Sequence, residues 1–263
     1  MKKIIFASLI ISVILSLAFL AGCVRVDLRE QAGPITTRQY SLSDFTGIDV
    51  GYAFEVEIIP SDNYSVTITA GENSFENINV YKSGSTLVVD VDNWFVIWFV
   101  TPKLTVTMPV LTELELSGAS KSTAIGFRSP HDLKLHLSGA SQLDMDIEAG
   151  DFFAELSGAS KINGRLISSG TEIELSGASS VSLTGSGGNI NLHGSGASRA
   201  DMVDFTVNNA YIDLSGASHA RLDINGRLEV DLSGASSLEY KGSPSLGEID
   251  LSGASSIEPI TSP

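Results

Sequence analysis

The sequence predicts an all-β protein, a parallel β-helix or solenoid with coils of about 19 residues, which we expect to be right-handed. Two observations support this prediction. The tetrapeptide Ser-Gly-Ala-Ser occurs eight times, at spacings of 18 to 21 residues, and a regular period of this kind is typical of stacked repeats. The residues between the copies alternate between apolar and polar, which is the pattern of β-strands.

Alignment on the tetrapeptide gives three largely apolar columns, one and three residues before the motif and two residues after it. In the fourth repeat these are Leu175, Ile173 and Val181. A coil of this size cannot bury its apolar side alone, whereas coils stacked at roughly 4.8 Å can. If the strand runs straight through the motif, the Gly and the second Ser point inward. If the chain bends at Gly, the Ala can point inward instead.

The N-terminus has the order of segments found in an export signal. Lys2 and Lys3 precede an apolar run over residues 4–20, and small residues lead to Cys23, the single cysteine of the chain. This order predicts a lipoprotein signal peptide over residues 1–22, with Cys23 diacylated and anchored in the membrane. The alternatives are a plain signal peptide with an incidental cysteine, or a transmembrane anchor.

The rest of the chain divides into three segments. Residues 23–39 are polar, contain Gly33 and Pro34, and are predicted to form a tether. Residues 40–110 contain period-two runs bounded by turn residues, and we assign them to irregular N-terminal β coils. Residues 111–263 form the Ser-Gly-Ala-Ser solenoid, which continues directly from the preceding coils.

The mature chain is strongly acidic, which bears on the partners that it can bind. Without Lys2 and Lys3, 14 basic residues face 31 acidic residues, so the net charge is −17. This balance argues against binding to nucleic acid or to an anionic membrane surface. A single cysteine also leaves no disulfide within the chain, so packing alone must stabilise the fold.

The repeated serines are predicted to be structural, because a serine nucleophile needs one serine with a base and an orienting group beside it. The column two residues before the motif is mainly acidic, and further glutamates lie four residues before it. One interpretation is a solvated acidic face. The other is a weak Ca²⁺ site or a docking face for a cationic partner. The candidate ligands of that site are Asp213, Asp231, Asp250, Glu229 and Glu248.

Two other sets of polar residues bear on this face. Lys121, Lys161, Arg199 and His219 follow the motif and are expected to offset part of its negative charge. His136 and His193 interrupt the acidic column three coils apart, roughly 14 Å along the axis. That distance is too large for joint catalysis, and no histidine spacing matches a zinc site.

The run from Trp94 to Val100 consists of seven apolar residues and contains both tryptophans. It is either a buried strand or a cover over one end of the solenoid. The alternative is an exposed aromatic patch formed by Trp94, Phe95, Trp98 and Phe99 that binds a partner, a sugar or a lipid surface.

Several motifs in their order resemble a known family of exported proteins. They occupy residues 45–50, 54–58, 86–89, 106–111 and 114–120. The chain resembles the putative autotransporter adhesin, head GIN domain family over most of its mature length. The resemblance implies a β-helix-like fold on an exported protein, and it supplies no catalytic residues.

We therefore predict a lipid-anchored surface protein of the cell envelope that acts as an adhesin or as a binding or structural module without catalysis. Its expected partners are the membrane, through the lipid anchor, and a surface glycan or protein. The alternative is a β-helix protein that binds or cleaves polysaccharide.

Overall fold

The computed structural model describes residues 32–92 and 100–260. Cys23 and the aromatic residues Trp94, Phe95, Trp98 and Phe99 lie outside the described residues, so the predictions on them stay predictions. The described chain forms strands β1 to β21 and one short 3-10 helix, Glu72–Glu76.

The strands form two stacks that enclose the core between them. Stack A contains β2 (Gly47–Val50), β5 (Ile78–Ser83), β6 (Thr86–Val91), β8 (Glu113–Leu116), β10 (Leu133–Leu137), β12 (Asp151–Leu156), β16 (Ala210–Leu214), β18 (Arg227–Leu232) and β20 (Ser245–Leu251). Stack B contains β1 (Ile35–Tyr40), β3 (Glu55–Pro60), β4 (Ser65–Gly71), β7 (Lys103–Met108), β9 (Lys121–Arg128), β11 (Gln142–Glu148), β15 (Arg199–Val207), β17 (His219–Ile224), β19 (Ser237–Gly242) and β21 (Ser256–Pro259). Two long strands, β13 (Lys161–Leu175) and β14 (Ser180–Gly194), contribute their first half to stack B and their second half to stack A.

Each repeat is one coil of a parallel solenoid. A strand of stack A leads into Ser-Gly-Ala-Ser, a strand of stack B follows, and a turn returns the chain to stack A. Successive coils pair in parallel and keep their register next to the corner, so that Glu155 lies opposite Glu174 and Lys161 lies opposite Ser180. The predicted parallel β-solenoid is thereby confirmed.

The apolar columns form one continuous core between the stacks. In the strands of the repeats, alternate side chains point inward, and these include the fully buried Leu135, Ala154, Ile173, Leu192 and Ile212. Gly194 occupies a position where other repeats have Leu. A β-carbon there would lie 2.6 Å from Cδ2 of Leu214, so Leu214 fills the space that the glycine leaves.

The tetrapeptide forms the corner between the stacks, and the chain bends at its glycine. All eight glycines have φ between +71° and +75°, a conformation that side chains with a β-carbon avoid. The Ala is exposed, and the second Ser is buried in the first seven copies. Of the two orientations that the sequence allows, the inward Ser is therefore the one adopted, with the bend at Gly.

Most hydroxyls of the serine column donate to main-chain carbonyls, and Ser198 donates to Ser218 Oγ in the next coil. Ser160 Oγ donates to the oxygen of Ser157 at 2.9 Å and to that of Leu137, in the preceding coil, at 3.2 Å. The same two contacts recur at Ser141. These hydroxyls hold each corner closed and tie it to the coil before it, which is a structural role.

The N-terminal region differs from the repeats. Strands β2 and β3 form a first coil, yet β6 and β7, which come later in the chain, pair with its outer side. Antiparallel strands follow beyond them, β5 on β6 in stack A, and β4 on β7 with β1 on β4 in stack B. Within the segment assigned to irregular N-terminal coils, β2, β3, β6 and β7 pair in parallel, whereas β4 and β5, together with β1, are antiparallel additions.

The predicted tether is also shorter than expected. Strand β1 begins at Ile35 and pairs with β4 along its whole length, so residues 35–39 belong to the folded domain. The alternation in Ile35-Thr36-Thr37-Arg38 is too polar to reveal a strand, because both faces of β1 are largely exposed.

Candidate functional site

The outward side chains of stack A form a surface that we call face A. It contains two parallel columns, because alternate residues of each strand point outward. The column next to the corner consists of Asp49, Glu115, His136, Glu155, Glu174, His193, Asp213, Asp231 and Asp250. The second column contains Glu113, Lys134, Phe153, Glu172, Asn191, Tyr211, Glu229 and Glu248.

Face A therefore concentrates negative charge. Its two columns carry 11 carboxylates and one lysine among the 17 positions just named. Carboxylates in neighbouring coils are separated by about one strand spacing, roughly 4.8 Å. At such distances two like charges repel by about 1 kcal/mol in water and by more where water is excluded.

The effect is visible at Asp49, at the N-terminal end of the column. Partial burial, followed by the nearby charges of Glu115, Asp90 and Glu113, raises the pKa of this carboxyl above its ordinary value of 3.8. Both causes disfavour the charged form. The charged form of Asp49 is therefore unfavourable for the stability of the fold.

The outward side chains of stack B form a second surface, face B, where acidic and basic residues pair. Asp146 accepts hydrogen bonds from Arg128 at 2.9 Å and from Arg165 at 3.0 Å, and these bonds lower its pKa. Further pairs join Arg221 to Glu239 at 3.2 Å and Lys103 to Glu57 at 2.8 Å. Face B thus pairs several of its carboxylates with basic residues of the chain.

Face A has few such pairs. Over residues 32–92 and 100–260, its one Lys or Arg ion pair joins Arg227 to Glu229 at 2.6 Å. Lys121, Lys161, Arg199 and His219, expected to offset the acidic column, lie on face B instead, on the other side of the corner. That expectation was wrong because the bend at Gly turns the residues after the motif away from face A.

Two clusters on face A combine a histidine, an aromatic ring and a carboxylate. In the first, His136 Nδ1 lies 3.3 Å from Glu155 Oε2, and its ring lies 5.6 Å from that of Phe153. In the second, His193 Nδ1 lies 3.5 Å from Asp213 Oδ2, with the ring of Tyr211 at 5.8 Å. The same three kinds of side chain thus recur in the same arrangement, three coils apart.

The second cluster borders a shallow groove of about 250 Å³ next to the corner. Glu155, Glu174, His193 and Asp213 line it together with the first serines of three corners, Ser176, Ser195 and Ser215. A second depression lies on the far side of Phe153, next to Lys134, Glu172 and Asn191. Both depressions of face A extend across several coils, along the solenoid axis and at right angles to the strands.

The five predicted calcium ligands have definite places. Asp213, Asp231 and Asp250 stand in register on three successive coils, and Glu229 is paired with Arg227. In the described ranges, no group of three or more His, Cys, Asp or Glu side chains could hold a metal ion. The calcium interpretation therefore stays a prediction without support from this geometry, whereas the docking interpretation matches the unpaired charge.

Sequence reasoning overlooked Phe153 and Tyr211. Each lies in the second outward column, one coil after a histidine of the first column. The signal was present in the alignment, since an aromatic residue follows His136 and His193 by 17 and 18 positions. It becomes meaningful once the parallel register places the rings beside the histidines.

The comparisons with solved structures agree with the fold. A putative lipid binding protein from Parabacteroides distasonis ATCC 8503 superposes with a TM-score of 0.81 at 16% identity, covering 87% of this chain and 98% of that one. A putative adhesin from Parabacteroides merdae ATCC 43184 gives 0.79 at 17% identity, covering 87% and 97%. A putative adhesin from Bacteroides fragilis NCTC 9343 gives 0.61 at 21% identity, covering 86% and 97%.

No curated protein sequence matches the chain. In the part of the chain that the structure describes, no helix has the length and apolar character needed to cross a membrane.

The three structural relatives named above are described as putative adhesins or as a putative lipid binding protein and not as enzymes. The family model described as "Putative auto-transporter adhesin, head GIN domain" matches residues 44–244. The chain belongs to this family, as the resemblance in its motifs predicts.

Proposed function

We propose that this protein is an exported module of the cell surface, anchored through a lipid on Cys23, which binds its partner on face A. The observation that carries the proposal is the contrast between the two outer faces. Face A presents 11 carboxylates in register, of which only Glu229 pairs with Lys or Arg among the described residues, whereas face B pairs several of its own. Because unpaired like charges destabilise the fold, their accumulation on one face supports a role outside the fold.

The rest of the architecture supports a binding role. The core runs without interruption through the repeats, and main-chain hydrogen bonds of 2.7 Å join each corner from the second to the eighth to the corner before it. A face built on such a scaffold keeps its side chains at fixed spacing, so a ligand meets a preorganised surface. The family's description as an adhesin domain is consistent with this use.

Binding through face A is tested with matched sets of substitutions in the full chain. One variant carries Glu155→Gln, Glu174→Gln and Asp213→Asn on face A, and the control carries Asp144→Asn, Asp201→Asn and Glu239→Gln on face B. Retention on isolated cell envelopes and on a glycan array is measured at low and high salt. We expect the face A variant to lose retention and the face B variant to keep it.

Equal retention by both variants would contradict the assignment of face A. Release of shortened sugars from the array would instead support the alternative, a β-helix protein that cleaves polysaccharide.

Lipid anchoring is tested separately. Cells that express the full chain or its Cys23→Ser variant are fed a clickable fatty acid and then fractionated. The proposal expects label and membrane association for the native chain and neither for the variant. An equally labelled variant would place the lipid elsewhere, and an unlabelled native chain would refute the anchor.

A further inference from the structure

We propose that the partner of face A is an extended, cationic polypeptide whose basic side chains at positions i, i+2 and i+4 lie along the solenoid axis. This inference rests on the proposed function and specifies the chemistry of its partner. The basic side chains at positions i and i+4 bind to the two clusters, His136–Phe153–Glu155 and His193–Tyr211–Asp213. The basic side chain at position i+2 binds to Glu172 and Glu174.

Charge complementarity selects a cation. Eleven carboxylates against Lys134 in the two columns of face A give a surface that attracts positive charge along its length. An uncharged glycan would leave this excess unexplained. The carboxylates at the clusters are accessible, with side-chain exposures of 55% for Glu155 and 45% for Asp213.

The clusters suit the side chains of arginine and lysine. In each, a carboxylate and an aromatic ring of the next coil lie beside one histidine, the carboxylate oxygen within 3.5 Å of Nδ1 and the two ring centroids within 5.8 Å of each other. A guanidinium can stack on the ring and donate two hydrogen bonds to the carboxylate. Lysine can do the same with a single ammonium group, so both residues are compatible and arginine fits better.

The spacing selects an extended chain. The two clusters are three coils apart, which corresponds to roughly 14 Å at the usual distance between strands. Residues i and i+4 of an extended peptide lie about 13–14 Å apart and point to the same side. Residue i+2 then lies above the coil midway between the clusters, where Glu172 and Glu174 are both exposed. The distance between the two clusters on face A therefore matches the distance between residues i and i+4 on one side of an extended peptide.

The test uses the full chain in detergent and two labelled peptides of the same composition. In one, three arginines alternate with threonines. In the other, the three arginines are consecutive. Fluorescence anisotropy at fixed ionic strength gives the affinities, and an oligomer of an amino sugar serves as a competitor. We expect the alternating peptide to bind about tenfold more tightly than the consecutive one, since one misplaced charged contact costs roughly this factor.

Substitutions locate the contacts. Glu155→Gln with Asp213→Asn should weaken the alternating peptide at least tenfold, and Phe153→Leu with Tyr211→Leu should weaken it severalfold. The control Asp144→Asn with Asp201→Asn on face B should change it less than twofold. Thermal unfolding of every variant establishes that the solenoid remains folded.

Equal affinity for the two peptides, or equal loss in the face B control, would overturn the inference. Tight binding of the amino sugar with no peptide binding would also overturn it and identify a glycan as the partner. If face A variants lose retention on envelopes while no peptide binds, the proposed function stands and this inference fails.

Discussion

Faces A and B are built on the same backbone repeat but differ in how their charged residues are arranged. On face B, Arg128 and Arg165 converge on Asp146, and Arg221 joins Asp201 and Glu239, so basic residues bridge neighbouring coils. On face A, acidic residues follow one another from coil to coil, with histidines at two positions. Stacking imposes no charge pattern of its own, because one solenoid accommodates both. The pattern on each face is therefore a property of its side chains.

The largest effect is expected where the two faces are separated, at the corner. Gly177→Ala places a β-carbon 2.6 Å from the oxygen of Gly158, at a residue with φ of +71°. The left-handed conformation alone costs about 1–2 kcal/mol, and the clash adds to it. We expect a loss of roughly 2 kcal/mol or more, measured by urea unfolding. The exposed neighbour Ala178→Ser is the control, and equal stability of the two variants would show that the bend does not depend on glycine.

The next largest effect concerns the serine that closes the corner. Ser160→Ala removes two hydrogen bonds to main-chain carbonyls, of 2.9 and 3.2 Å. The carbonyl of Leu137 still accepts the amide of Ser157, whereas the carbonyl of Ser157 loses the hydroxyl as its donor. The expected loss is about 1 kcal/mol. Ser157→Ala, at a half-exposed site, should cost less, and a larger loss there would reverse the assigned roles of the two serines.

The next prediction concerns Asp49 on face A. Its raised pKa indicates that the charged form of the carboxyl is unfavourable in the folded protein. A raised pKa in the folded state means that stability is greatest below the ordinary value of 3.8 and falls as the pH rises through the raised value. Asp49→Asn should therefore increase the melting temperature at pH 7 and have no effect near pH 3. A calorimetric pH series measures the difference, and a lower melting temperature at pH 7 would contradict it.

Face B should give a small effect of opposite sign. The pKa of Asp146 is lowered by its hydrogen bonds to Arg128 and Arg165, so its contribution is present above 3.8 and is lost as the pH falls through the lowered value. Asp146→Asn should lower the melting temperature at pH 7, less so at high salt, and have no effect in strong acid. The same sign for Asp49→Asn and Asp146→Asn would remove the distinction between the faces.

Much of this organisation could be predicted from the repeat. The period places Glu155, Glu174 and His193 in one column, and parallel pairing in register makes that column a physical ladder. The glycine of each motif indicates a turn. The association of Phe153 with His136 could not be predicted so directly, since it depends on which columns share a face and on which neighbouring coil supplies the contact.

The first corner shows why the N-terminal region was harder to predict. Here Gly51-Tyr52-Ala53-Phe54 takes the place of Ser-Gly-Ala-Ser, and Tyr52 adopts the left-handed conformation with φ of +66°. The carbonyl of Tyr52 accepts the amide of Ala119, as the glycine carbonyls do in later coils. No local pattern identifies this tetrapeptide as a corner, because the next coil holds it in place.

The sequence by itself determined the coil length, the apolar columns, the glycine at each bend and the membership of the acidic ladder, since each follows from local periodicity and backbone sterics. The tertiary structure decided which columns share a face, how β6 and β7 come to lie outside β2 and β3, and where basic residues meet acidic ones. These features depend on contacts between residues far apart in the chain. The direction in which each corner turns the chain sets those contacts, and no local pattern encodes it.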